Sequence, residues 1–129
     1  MRHWLVAWLL VALGGAACGE VDKKVGPQGG DITLALTTTR TETGALLLRV
    51  VGPVEEITAL GGLRAGSAPL GTGATRVVLT GSITSGDILR LRIPDIDMAE
   101  TYTVQVEQAA LGTTFALVEP GDYAVVVRR

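Results

Sequence analysis

The 129-residue chain predicts an all-β fold, a single antiparallel β-sandwich of about eight strands over residues 31–129. Three observations predict it. Apolar and polar side chains alternate at a period of two, turn signals recur about every ten residues, and no segment carries a convincing helical period. Fifteen threonines after residue 18 add to the strand preference, because β-branched side chains suit a pleated sheet.

Clean alternation predicts four strands that each bury one face, at 32–36, 89–93, 102–107 and 123–127. Four less regular runs complete the set, at 45–51, 54–60, 75–80 and 113–118. The first of these runs is so apolar that we expect a central strand covered on both sides.

The segments between these strands are expected to be turns and loops. Glycine-rich residues 61–66 and 71–73 are interpreted as long loops. The best helical candidate, 96–107, favours a turn followed by a strand.

Residues 1–17 have the order of an export signal. Arg2 provides a positive start, residues 4–13 are apolar, and residues 14–17 are small. Ten residues of helix rise about 15 Å, roughly half the hydrocarbon core of a bilayer, so this segment is too short to span it. We therefore predict a signal-peptide helix at 1–17 with cleavage after Ala17.

The only cysteine, Cys18, directly follows Gly15, Ala16 and Ala17. This motif resembles the lipobox of bacterial lipoproteins, in which small residues precede an invariant cysteine, although the family prefers leucine at the position of Gly15. The resemblance implies that the Cys18 thiol carries a diacylglyceryl group and that Cys18 becomes the first residue. Acyl chains contribute about 0.8 kcal/mol per buried CH₂, so two or three of them would anchor the protein durably. Ordinary signal-peptidase cleavage after Ala17 is the alternative.

Residues 18–30 then predict the lipidated cysteine and a flexible tether, because glycine, proline and charged residues interrupt any period. The tether can extend at most about 40 Å, so the domain would lie close to the bilayer. Gly19 follows the cysteine, and the sorting rule of enteric lipoproteins, in the absence of aspartate there, implies the outer membrane. We expect an exported protein of the bacterial cell envelope, with the outer membrane favoured and the periplasmic or surface side open.

Three further runs resemble the strands of cohesin-type sandwiches, which are immunoglobulin-like folds. They are Gly30-Asp31-Ile32-Thr33-Leu34, Gly44-Ala45-Leu46-Leu47-Leu48 and Gly86-Asp87-Ile88-Leu89-Arg90-Leu91. The resemblance implies a sandwich and no particular function, since one fold hosts many functions.

Composition excludes several classes of protein. The chain is too short for a multidomain enzyme, has one cysteine and so no disulfide scaffold, and carries 11 basic against 13 acidic residues, unlike a nucleic-acid binder. Beyond residue 17 it has no histidine, so Ser-His-Asp and Cys-His nucleophiles and His/Cys zinc sites lack their residues.

We therefore expect no enzyme and no cofactor, but a non-catalytic, lipid-anchored envelope protein that presents a β-sandwich for structural or protein-binding roles. Its expected partners are the membrane, through the lipid on Cys18, and another envelope protein or a polysaccharide, with no nucleic acid.

A carbohydrate- or calcium-binding accessory module of a surface assembly is the alternative function. Asp95, Asp97 and Glu100 form an acidic cluster, and carboxylates on a loop suit Ca²⁺, although Asp95 is also a typical turn residue. An enzyme that uses carboxylates alone is a third possibility, in which Glu55 and Glu56 would pair with another carboxylate for glycoside hydrolysis.

Arginines offer one more candidate contact. Arg90 and Arg92 share the outward face of a predicted strand, and Arg49 and Arg76 are expected nearby. They form either an anion or polysaccharide contact or a solvated face paired with glutamates.

Overall fold

The computed structural model describes residues 26–129 and shows an antiparallel β-sandwich, which confirms the predicted fold class. The predicted signal peptide, Ala17, Cys18 and most of the tether lie outside the described residues. The strands are β1 Gly30–Thr38, β2 Thr43–Val51, β3 Glu56–Ala59, β4 Arg64–Pro69, β5 Ala74–Ile83, β6 Gly86–Ile93, β7 Thr103–Leu111, β8 Leu117–Val118 and β9 Tyr123–Arg128. Two 3₁₀ helices, Ile96–Thr101 and Pro120–Asp122, precede β7 and β9.

The strands form two sheets. The four-stranded sheet has the order β3-β6-β1-β9, and the five-stranded sheet has the order β4-β5-β2-β7-β8. Their inner faces pack together through alternate side chains, since successive residues of a strand point to opposite faces. The core is almost entirely aliphatic, with these residues at most 2% exposed: Ile32, Leu34, Leu36, Leu46, Leu48, Val50, Val77, Leu79, Ile83, Ile88, Leu89, Leu91 and Ile93.

Two tyrosines close the core at its opposite ends. The Tyr123 hydroxyl of β9 lies 2.6 Å from the Thr43 hydroxyl of β2, a buried hydrogen bond between the two sheets. The Tyr102 hydroxyl donates to the Pro53 carbonyl. Burial raises the pKa of Tyr102 above its ordinary value of 10.0, and the carboxylates of Asp95 and Glu55 add to this rise.

The sandwich has two ends, which we name the Gly26 end and the Phe115 end after a residue that lies at each. At the Gly26 end, Gly30 of β1 faces Ile93 of β6, and the Gln28 carbonyl accepts from the Ile96 amide. At the Phe115 end lie the turns that follow β1 and β7. There the Gly112 amide donates to the Glu42 carbonyl at 2.8 Å. The first and last residues of the nine-residue β1 lie about 27 Å apart.

The expected long loop at 61–66 is wrong in its second half, because Arg64–Pro69 form the edge strand β4. All six residues of β4 are exposed and none is large and apolar, so the sequence shows no alternation of apolar and polar residues there. Its pairing with the long strand β5 makes it a strand. The total is therefore nine strands among the described residues, against about eight expected.

Other elements also differ from the sequence prediction. The predicted strand at 113–118 shortens to Leu117–Val118, and the turn expected before β7 is the 3₁₀ helix Ile96–Thr101. The strand β2 is central in its sheet, as predicted, but it is not covered on both sides. Val51 on its outer face is 43% exposed, and Leu47 is only partly buried.

Candidate functional site

In the structure, the predicted acidic cluster of Asp95, Asp97 and Glu100 lies at the start of, and within, a 3₁₀ helix. The Asp95 side chain caps the 3₁₀ helix Ile96–Thr101, because its Oδ1 accepts from the Asp97 amide at 3.1 Å. The Asp97 side chain is 86% exposed and lies 3.8 Å from Arg129. Glu100 is exposed on the same helix. Within residues 26–129, no three histidine, cysteine or acidic side chains come close enough together to hold a metal ion, so the calcium interpretation gains no support.

Glu55 and Glu56, the other acidic candidates, are exposed where β3 begins. They line a surface depression of about 220 Å³ whose remaining lining residues are Val54, Ile57, Ser67, Pro69 and Thr75. No acidic residue from another element joins them there. The depression does not bring together carboxylates from opposite sides, as hydrolysis of a glycosidic bond requires.

The four arginines do not form one surface, so the expectation that they lie near one another is wrong. Arg90 and Arg92 project from the four-stranded sheet, whereas Arg49 lies opposite Arg76 on the five-stranded sheet. The separation follows from strand order, since β6 belongs to one sheet and β2 and β5 to the other.

The outer face of the four-stranded sheet is polar and carries cross-strand ion pairs. Arg92 lies 3.6 Å from Asp31, and Arg128 pairs with Asp87. On the other sheet, Arg76 donates to the Glu107 carboxylate at 3.0 Å. Exposed pairs of this kind contribute at most about 1 kcal/mol each, so these contacts fit a solvated face, with aspartates as well as glutamates as partners.

The five-stranded sheet carries an apolar surface that the sequence interpretation missed. Leu47, Val78 and Leu117 project outward around a depression of about 200 Å³ that Ala45 also lines, and Val78 and Leu117 are 45% and 68% exposed. Ala45 also lines a second groove, of about 360 Å³, together with Phe115. We call Leu47, Val78, Leu117 and Phe115 the outer strip.

Phe115 is the most exposed large apolar residue among those described, at 78%. It lies on the turn between β7 and β8 with a φ of +60°, a left-handed conformation that is uncommon for residues other than glycine. The largely apolar run at 45–51, interrupted only by Arg49, is the sequence signal for the outer strip. The run predicts a strand covered on both sides, but its outward residues Arg49 and Val51 are exposed and Ala45 and Leu47 are only partly buried.

Arginines border the outer strip. Arg49 and Arg76 pair with each other two residues beyond the Leu47–Val78 pair, toward the Gly26 end. Arg64 pairs with Thr80, on the side of Leu47 and Val78 that is nearer the Phe115 end. Of these three, Arg76 pairs with Glu107. The arrangement is an apolar centre with a predominantly basic border.

No helix within residues 26–129 is long and apolar enough to cross a bilayer. Comparison with known protein families, with curated proteins and with solved structures finds no match for this chain.

Proposed function

We propose that the chain is a non-catalytic, lipid-anchored protein of the bacterial cell envelope that presents its β-sandwich for protein binding. The observation that carries this proposal is the position of the outer strip relative to Gly26. The chain enters the sandwich at the Gly26 end, and the outer strip runs from the middle of the five-stranded sheet to Phe115 at the opposite end. When the Gly26 end lies nearest the bilayer, Phe115 is on the side that faces away from it.

The chemistry of the outer strip supports a protein partner. Neighbouring exposed apolar side chains are costly in water and often mark contact surfaces. The basic border formed by Arg49 and Arg64 favours a partner surface with an apolar centre and acidic surroundings. The ion-paired outer face of the four-stranded sheet offers no such apolar area, apart from the single residue Val126.

The anchor is tested by metabolic labelling with a fatty-acid analogue. We expect the wild-type chain to take up label and to sediment with membranes, and Cys18→Ala to do neither, because the acyl chains require the thiol. Gly15→Leu, which brings the motif closer to the family pattern, is the matched control and should keep the label. An unlabelled wild-type chain in the soluble fraction would show that the anchor is absent.

The binding surface is tested by a photo-crosslinking amino acid placed at Phe115 in living cells. Thr58, exposed on the outer face of β3, is the control position. We expect one discrete crosslinked protein from Phe115, none from Thr58, and a reduced yield when Arg49→Glu reverses the border charge. Equal crosslinking from both positions, or a yield insensitive to Arg49→Glu, would refute the assignment.

A further inference from the structure

The free edge of β9 is a second surface, separate from the outer strip. Within the described residues β9 pairs with β1 alone, so the backbone groups along its other edge have no strand partner. The other edge strands are short or interrupted, since β3 has four residues, β8 has two, and β4 contains Gly66 and Pro69. By contrast, Tyr123–Val127 is an uncharged run without proline or glycine, which makes β9 the least protected of the four edge strands. Residues 103–108 of β7 also lack a strand partner on the side of β8, but they include the charged residue Glu107.

Open space lies along this edge. Two grooves of about 440 and 390 Å³ follow the flank between β7 and β9, and Val104 and Val125 line both. Val106 and Val127, beside them, are also only partly buried. A strand laid against β9 would therefore find free backbone groups and valines that gain further burial.

The charges around β9 are self-complementary. Glu119 and Asp122 precede the strand, and Arg128 and Arg129 end it. The side chains of Asp122, Arg128 and Arg129 keep 42%, 52% and 53% of their surface exposed, despite intrachain ion pairs. When two such strands run antiparallel, the acidic start of each meets the basic end of the other.

We propose that β9 of one copy pairs antiparallel with β9 of a second copy, so that two four-stranded sheets join into one of eight strands. Antiparallel pairing is the arrangement that a closed two-fold dimer requires. When the pairing is centred on Val125, Arg128 of each copy lies directly opposite Asp122 of the other. The outer face then places Val126, which is 53% exposed, opposite Ala124 of the second copy.

This dimer does not depend on lipidation, but it is compatible with it. Antiparallel pairing puts the two Gly26 ends at opposite ends of the dimer. If the proposed function holds, the free chain from Cys18 to Gln28, whose carbonyl accepts from the Ile96 amide, spans at most about 35 Å, which exceeds the roughly 27 Å length of β1. Both anchors can therefore reach one bilayer when the strands of the dimer lie parallel to its plane.

Cysteine crosslinking of the full chain in a Cys18→Ala background tests the pairing separately from the anchor. Val126→Cys places two thiols on diagonal neighbours about 8 Å apart across the two-fold axis, within reach of a short bis-maleimide. We expect a covalent dimer from Val126→Cys and from Ala124→Cys, and none from Thr58→Cys on the opposite edge of the same sheet. Monomer from both β9 variants, or equal dimer from Thr58→Cys, would overturn the proposal.

Charge reversal tests the register with the same Val126→Cys reporter. Asp122→Arg and Arg128→Glu each place like charges opposite one another in a homodimer, so each should lower the crosslinked fraction about fivefold. Mixing the two variants restores opposite charges at both positions, so the mixture should recover the dimer. A mixture that crosslinks no better than either variant alone would refute the pairing of Arg128 with Asp122.

Discussion

Removing the Tyr123 hydroxyl is expected to destabilise the fold, because it leaves the Thr43 hydroxyl buried without a partner. The two oxygen atoms lie 2.6 Å apart, and the residues are only 6% and 3% exposed. Loss of one partner of a buried hydrogen bond costs about 1–3 kcal/mol, since the remaining group has lost its water as well. In a domain of this size each kcal/mol lowers Tm by roughly 4–8 °C. Tyr123→Phe should therefore lower Tm by at least about 4 °C.

A double-mutant cycle separates this hydrogen bond from the packing of the ring. Thr43→Val with Tyr123→Phe removes both hydroxyls, so the double variant should be more stable than the sum of the single effects predicts, by about 1 kcal/mol or more. Urea unfolding followed by circular dichroism measures the four free energies. Thr58→Val, exposed on β3, is the control and should change stability by less than about 0.5 kcal/mol. Additive single effects would refute the reasoning.

Three other predictions concern Tyr102, glycine turns and the core. Because the folded pKa of Tyr102 is raised above 10.0, its contribution to stability is present below that pH and is lost as pH rises through the folded pKa; urea unfolding across alkaline pH should show this loss, and Tyr102→Phe should reduce it. Gly52→Ala should cost about 1–3 kcal/mol more than Gly86→Ala in thermal unfolding, since both glycines have a φ of +134° but only at Gly52 would a Cβ collide with the Tyr102 ring; equal costs would contradict the packing argument. Leu48→Ala should cost about 2–5 kcal/mol and Val51→Ala less than about 0.5 kcal/mol, because Leu48 is fully buried and Val51 is 43% exposed; similar unfolding free energies for both would place the core elsewhere.

Strands that bury one face were predictable, because such burial requires apolar and polar side chains to alternate along consecutive residues. In β1, Ile32, Leu34 and Leu36 are buried as their spacing predicts. In β4, no residue is buried, so the same rule had nothing to detect. A strand that is held only by backbone pairing to its neighbour has no characteristic side-chain pattern, so its own sequence does not predict it.

The candidate sites show the same division. The acidic cluster at Asp95 was visible in the sequence, but its use as a helix cap depends on the backbone conformation there. The four arginines were equally visible, yet strand order divided them between two sheets. The outer strip could not be predicted without knowing which face of β2 the other sheet covers.

The fold class could be predicted from the sequence alone, because period-two alternation is a local property of each strand. The sequence also carries the pattern from which export and lipidation at Cys18 are proposed, since that pattern occupies consecutive residues. The strand order, the apolar face that remains in solvent and the edge that remains unpaired are visible only in the folded chain. Each of these depends on contacts between segments far apart in the chain, as between Thr43 and Tyr123, and no local pattern specifies them.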